Sequence, residues 1–286
     1  MIRQVLALTG LMALAVSSLS IHAAVLTPNF AAVTATPAAQ FASPGWYTDR
    51  YDPTSFSNVG NYQGRNDVLG IGITSAGTLA NRASGFNSSF YNTQGRQHLL
   101  SGGAGSSVAA DLYVQGRWAS PVNGSVRSDM WGVMANSAFV PATPNIGITD
   151  YPIFGFTNDG AGGGRYRVFD GDVSGGWVDL AAPVVYDAWT AFEILFTGSA
   201  YKFLLNGNLV YTDSTIGLGT NGFRATIMQA YNFGDPANFP NAVVAGYTAH
   251  WSNVTAQAVP EPGSLALLGL ALAGLAAVRR RKVLAG

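Results

Sequence analysis

One stretch restricts the fold of this chain more than any other: "WTAFEILFTGSAYKFLLNGNLVYTDS", residues 189–214. Thr190, Phe192, Ile194 and Phe196 recur at every second position, with Trp189, Ala191 and Glu193 between them. A period of two is the pattern of a half-buried strand, so the Thr-Phe-Ile-Phe set should face a core. Tyr201, Phe203 and Leu205 then alternate with Lys202 and Leu204, and Asn206-Gly207 follows at once. Those two residues take positive φ readily, which is what a two-residue type I′ hairpin requires. Leu209 and Tyr211 continue on the returning strand.

Shorter runs elsewhere read the same way. They include "DVLGIGIT", "SVAADLYVQGRW", "DMWGVMA", "YPIFGF", "RYRVFDGD", "FRATIMQAYNF" and "AVVAGYTAHWSNV". Gly, Asn, Asp and Pro clusters separate them, as in antiparallel sandwiches and barrels. No amphipathic helix of useful length and no internal repeat interrupts the pattern. The expected fold class is therefore all-β, an antiparallel β-sandwich.

Composition narrows the setting. The fifteen Lys and Arg balance the fifteen Asp and Glu, so no net charge draws the chain to nucleic acid. Only 10% of residues are charged, while 35 are glycine, a balance typical of turn-rich β proteins. With no cysteine, disulfides, thiolate nucleophiles and thiolate metal sites are excluded. Stability must come from a core, and a domain of this length can bury one.

The two ends carry signals of another kind. Met1–Gln4 holds one cation, Arg3; an apolar stretch runs from Val5 to Val16, and small residues surround Ala23 and Ala24. That order reads as a secretory signal peptide, residues 1–24. At the other end, residues 263–278 are uncharged and apolar, and Arg279, Arg280, Arg281 and Lys282 follow directly. A bilayer core of about 30 Å calls for roughly 20 apolar residues, and flanking arginines let a shorter helix suffice. The basic cluster orients that helix with its C-terminus in the cytoplasm. The expected organisation is signal peptide 1–24, ectodomain 25–258, and a tail 259–286 with a transmembrane helix over 263–278.

Pro260-Glu261-Pro262 stands directly before the apolar run, and Arg279, Arg280 and Arg281 directly after it. Motif, helix and basic cluster in that order resemble the PEP-CTERM sorting signal. The resemblance implies an exosortase-type processing enzyme as partner, transient tethering to the inner membrane, and delivery to the cell surface or matrix. The two prolines cannot continue a helix, so the motif should stay extended and available to such an enzyme.

A second resemblance lies in the domain itself. Trp177, the strand "WTAFEILF", the Tyr-x-Phe strand with its Asn-Gly turn and a late aromatic strand resemble the concanavalin A-like, or laminin G-like, jelly roll. It spans Asp170 to Val254 and implies carbohydrate as a partner. Glycosidases of this fold carry a Glu-x-Asp-x-x-Glu strand, because two carboxylates must flank one glycosidic bond. Here Glu193 is the one glutamate between signal and tail, so that pattern is absent. His98 and His250 lie far apart, and neither accompanies a nucleophile elbow; His250, beside Trp251, reads as structural.

Two candidate sites remain. "FDGDVSGG" sets Asp170 and Asp172 two apart around a glycine, oxygen ligands of the kind calcium prefers. The same residues are equally ordinary turn chemistry. Trp46, Tyr47 and Trp118 occupy loop-like stretches, where an exposed ring could stack on a sugar. The sequence thus points to an exported, non-catalytic surface or matrix protein among exopolysaccharides. A lectin-like module, with or without calcium, and a polysaccharide-degrading enzyme are the alternatives.

Overall fold

A computed structural model describes residues 24–26, 29–30, 45–48, 50–140, 146–160 and 162–257. The expected signal peptide up to residue 23 and the tail from residue 258, with its apolar run 263–278, lie outside the described residues. No helix among the described residues is long and apolar enough to cross a membrane.

The strands are β1 (Ala24–Val25), β2 (Trp46–Tyr47), β3 (Ser55–Asn58), β4 (Leu69–Ile73), β5 (Thr93–Gly102) and β6 (Ser107–Val114). They continue as β7 (Val126–Ala135), β8 (Ile148–Asp150), β9 (Ile153–Asn158), β10 (Arg165–Phe169) and β11 (Trp177–Asp179). The last are β12 (Ala188–Phe196), β13 (Tyr201–Leu205), β14 (Asn208–Asp213), β15 (Gly222–Tyr231) and β16 (Tyr247–Gln257). The helical residues described are single turns of 3-10 type, none longer than four residues.

Two antiparallel sheets pack face to face. Sheet A has the order β14-β13-β12-β6-β16-β4-β3, with β1 beside β16. Sheet B has the order β11-β10-β9-β7-β15-β5-β2, with β8 beside β7. Strands distant in sequence are neighbours in both sheets, the crossed connectivity of a jelly-roll sandwich.

The alternation seen in the sequence produces the core. Phe192, Ile194 and Phe196 are sealed from solvent, and so are Tyr201 and Phe203 opposite them. Phe154, Phe156, Met130 and Met228 meet them from sheet B. Trp251 on β16 crosses the interior, its indole N–H donating to Ser128 Oγ at 2.8 Å. The hairpin after β13 has φ of +50° at Asn206 and +77° at Gly207, the type I′ pair. One expectation shifts: a bulge at Phe203/Leu204 changes the register of β14. It leaves Leu209 exposed and Tyr211 opposite Phe203.

Sheet B differs from sheet A in its outer face. Alternate residues of β7 and β15 build a second small apolar cluster there, made of Val133, Ala225 and Ile227 with Trp131, Leu99 and Tyr151. Beside it the same strands carry charged and polar side chains that are also buried. This outer face holds the candidate site.

Candidate functional site

Register places six residues in one row across the outer face of sheet B. Gly95 on β5 pairs with Gln229 on β15, which pairs with Asp129 on β7. Asp129 pairs with Gly155 on β9, Gly155 with Arg167 on β10, and Arg167 with Asp179 on β11. Glycine at 155 has a steric reason: a Cβ there would overlap the Asp129 carboxylate. The carboxylate thus lies flat on the sheet, directed along the row.

Asp129 and Gln229 are fully buried, and Arg127 and Arg167 nearly so. Arg127 Nε donates to Asp129 Oδ2 at 2.6 Å, and Gln229 Nε2 donates to the same oxygen. The Arg127 guanidinium lies between two rings, 4.5 Å from Trp177 and 4.8 Å from Tyr231. Arg167 rests 3.8 Å from the Trp177 ring. Burial, and then the neighbouring Arg127 charge, push the Arg167 guanidinium down to about 10.

On the same outer face a cleft of about 400 Å³ has Trp131 and Tyr231 in its walls. Its walls are Arg50, Ser89, Phe90, Thr93, Asn238 and Phe239. Arg50 lies 4.7 Å from the Trp131 ring and 5.6 Å from Phe90, and Phe90 is more than half exposed. Asp235 holds the 235–239 wall in place, accepting from Asn92 and Asn238 at 2.8 Å each. Burial alone would raise that carboxyl. The bonds from Asn238 and Asn92 outweigh it and hold the group below the usual carboxylate range. Arg82 in turn donates to Asn92, so a buried polar chain runs from Arg82 to the cleft wall.

The three aromatic residues expected at the surface are instead core residues. Trp46 is wholly buried, 5.7 Å from Phe30, 5.3 Å from Phe56 and 5.2 Å from His98. Tyr47 follows it on β2, buried as well. Trp118 is buried and stacks on Phe156 at 5.6 Å. Loop-like composition misled here, because a short edge strand and a single 3-10 turn each press an indole inward. The half-buried tryptophans of the outer face are Trp131 and Trp177. The signal for Trp131 was its phase: Met130 and Met134 face the core, which leaves Asp129, Trp131 and Val133 on the other face.

Both histidines have partners within the fold. His250 stacks on Tyr62 at 3.7 Å with rings 8° apart, and burial with the Arg117 charge pushes it down to about 4. His98 is lowered by burial and contacts the Leu99 carbonyl oxygen at 2.7 Å through Nδ1. Glu193 lies on β12 of the opposite sheet, paired with Ala109 and Leu204.

Asp170 and Asp172 gain a third carboxylate that the sequence did not indicate. Asp213, at the end of β14, comes within reach, and one oxygen from each of the three lies within 4.8 Å of the others. Asp170 Oδ2 accepts from the Tyr211 hydroxyl at 2.7 Å, and its Oδ1 accepts from Asp172 N at 2.9 Å. Asp213 accepts from Thr215 N at 2.8 Å. Burial and the charges of Asp170, Asp150 and Asp172 nonetheless push Asp213 up to about 6. A hard divalent cation would relieve that repulsion, and an all-oxygen set suits calcium.

Pro260, Glu261, Pro262, Arg279, Arg280 and Arg281 fall outside the described residues. Solved structures similar to this chain include a Bacillus licheniformis beta-glucanase, at 13% identity and a TM-score of 0.41 over 75% of this chain and 92% of that one. Carbohydrate binding module CBM66 from Bacillus subtilis is similar at 12% identity and a TM-score of 0.35, over 75% and 96%. LamAcat from Zobellia galactanivorans is similar at 13% identity and a TM-score of 0.43, over 74% and 89%. No curated protein gives a significant match. Residues 258–282 match the PEP-CTERM protein-sorting motif, and the chain carries that sorting motif behind its β-sandwich.

Proposed function

We propose that this chain is an exported, non-catalytic surface or matrix protein that binds exopolysaccharide through the outer face of sheet B. The cleft carries this reading: Trp131, Tyr231, Phe90 and Phe239 surround it, Arg50 lies against two of those rings, and among the described residues no carboxylate lines it. Flat aromatic faces beside polar donors suit pyranose rings, which present an apolar face and a hydroxyl edge. Hydrolysis of a glycosidic bond needs an acid and a second carboxylate at fixed separation. The single buried carboxylate of the row, Asp129, is already committed to Arg127 and Gln229.

The sorting motif supports delivery by export, membrane tethering through the apolar run, and processing by an exosortase-type enzyme. Calcium at Asp170, Asp172 and Asp213 would tie the loop after β10 to the end of β14 and stiffen that end of the sandwich. A glycan array probed with the purified chain, with and without calcium, tests the reading. Retention that Trp131→Ala abolishes supports it, and absence of retention by any glycan refutes it.

A further inference from the structure

The buried row on the same outer face as the cleft holds a hydrogen-bond deficit that specifies the kind of glycan. Arg127 Nε and Gln229 Nε2 both converge on Asp129 Oδ2. Among the described residues, Asp129 Oδ1 accepts nothing, Gln229 Oε1 accepts nothing, and Arg167 Nε donates to nothing. All three atoms are buried, and all three belong to the single row Gln229–Asp129–Gly155–Arg167. A buried polar atom left without a partner costs about 1–3 kcal/mol, so three in one row demand an account.

The inventory is two acceptors and one donor. A hydroxyl group matches it, because it donates and accepts at once: it can donate to Asp129 Oδ1 and accept from Arg167 Nε. A second hydroxyl can donate to Gln229 Oε1. A carboxylate matches poorly, since it only accepts and would meet the Asp129 charge. The one argument for an acidic ligand is the pair of guanidiniums, Arg127 and Arg167, that the Trp177 ring covers beside the buried Asp129. Arg127 is neutralised by Asp129 at 2.6 Å, and a uronate carboxylate seated at Arg167 can donate to neither orphan acceptor.

Trp177 lies over the cationic part of this face. Its ring covers both guanidiniums, yet it is itself half-exposed. It sits on a three-residue strand at the margin of sheet B, after Gly175 and Gly176, both at positive φ. A strand paired on one side and preceded by two glycines is the easiest part of this face to displace.

Resting on the glycan-binding reading above, we propose that Gln229, Asp129 and Arg167 form a hydroxyl-reading subsite that selects neutral glycans over polyuronates, opened when the Trp177 ring moves off the arginines. The test uses the full chain, purified in a detergent without a sugar headgroup, and titration calorimetry. The probes are neutral glucan, galactan and mannan hexasaccharides, set against alginate and polygalacturonate hexamers. At least one neutral hexamer should bind tenfold or more tighter than either uronate.

Asp129→Asn keeps size and the bonds from Arg127 and Gln229 while replacing the orphan acceptor with an NH₂ donor. It should weaken the neutral ligand by tenfold or more. Arg167→Lys, which keeps charge but loses Nε, should weaken it as well. If a uronate binds as tightly as the best neutral hexamer, or if folded Asp129→Asn and Arg167→Lys both bind like the parent, the subsite is wrong while glycan binding stands. If no hexamer of either class binds, the glycan-binding reading falls, and this one with it. Selectivity of the unmodified chain decides the matter even where a variant fails to fold.

Discussion

The hydroxyl of Tyr247, on the first residue of β16, donates to the carbonyl oxygen of Arg127 on the opposite sheet, 2.7 Å away. The Tyr247 hydroxyl oxygen also accepts from Arg127 N at 3.3 Å and Tyr231 N at 3.0 Å, and the Tyr231 carbonyl oxygen lies 2.8 Å from it. One side chain from sheet A thus serves the backbone of β7 and β15 where their ladder ends. Burial raises this phenol well above its ordinary range, so it stays protonated and able to donate.

Tyr247→Phe should therefore be costly out of proportion to one oxygen. It leaves backbone groups of Arg127 and Tyr231 buried without partners, at about 1–3 kcal/mol for each that finds no substitute. For a domain of this size a loss near 3 kcal/mol corresponds to a fall in Tm of roughly 6–12 °C. Calorimetry checks it. A Tm unchanged within 2 °C would mean that water replaces the hydroxyl without loss.

The tryptophans divide into two groups with opposite expected phenotypes. Trp131→Ala removes a cleft wall and should lower glycan affinity about tenfold or more, with a modest change in stability. Trp46→Ala and Trp118→Ala empty core positions and should cost about 3–5 kcal/mol, with affinity retained in whatever protein remains folded. Binding and melting measured on all three variants separate the groups. Affinity loss confined to Trp46→Ala or Trp118→Ala would move the site away from the cleft beside Trp131.

This division shows what the sequence makes legible. Period-two alternation reports which residues share a face, so Phe192, Ile194, Phe196, Tyr201 and Phe203 were readable as core. The Asn206-Gly207 turn was readable for the same local reason. Alternation does not report that the second face of a strand is also covered, and in sheet B both faces are. The row Gln229–Asp129–Gly155–Arg167 joins residues about 100 positions apart, and no local pattern encodes such a register. Asp213 escaped notice for that reason too, while Asp170 and Asp172 stood out because they are neighbours. Trp46 and Trp118 were misplaced because their segments carry turn residues, although their indoles point inward.

The hairpin gives a local test. Gly207 has φ of +77° with open space around it, so a side chain meets no clash there and only the backbone resists. Gly207→Val should cost roughly 1–2 kcal/mol, the penalty of a β-branched residue in the left-handed region. Denaturant melts of parent and variant measure it directly. Equal midpoints would show that the turn relaxes to another type.

For the tail, replacing Pro260-Glu261-Pro262 by alanines should leave export intact and stop processing. A full-length form should then accumulate in the inner membrane. Fractionation followed by immunoblotting reads the outcome. Normal size and normal surface amount in the substituted chain would show that the matched motif does not govern sorting.

The aspartate cluster makes a pH-dependent prediction whose sign is fixed by its geometry. Asp213 is raised to about 6 in the folded chain, from an ordinary value of 3.8, so between those values the folded state holds more protons than the unfolded one. Stability from this group is therefore present at low pH and falls as pH rises from about 4 to about 6, where the carboxylate ionises beside Asp170, Asp150 and Asp172. Calcium should reverse the trend by bridging the charges. Its stabilisation should be largest at pH 7 and fade near pH 5, where the metal competes with a proton. At ten times Kd the increment is about 1.4 kcal/mol, a shift of roughly 3–6 °C for a domain of this size. Asp213→Asn should raise Tm at pH 7 without calcium and remove the calcium response. Asp170→Asn should instead lower it, because Asp170 is buried and accepts the Tyr211 hydroxyl. Melting curves at pH 5 and 7, in chelator and in millimolar calcium, test all of this. Identical curves in chelator and calcium at pH 7 would reduce the cluster to turn chemistry, and a Tm unmoved by Asp213→Asn would show that the carboxylates do not repel one another as their spacing requires.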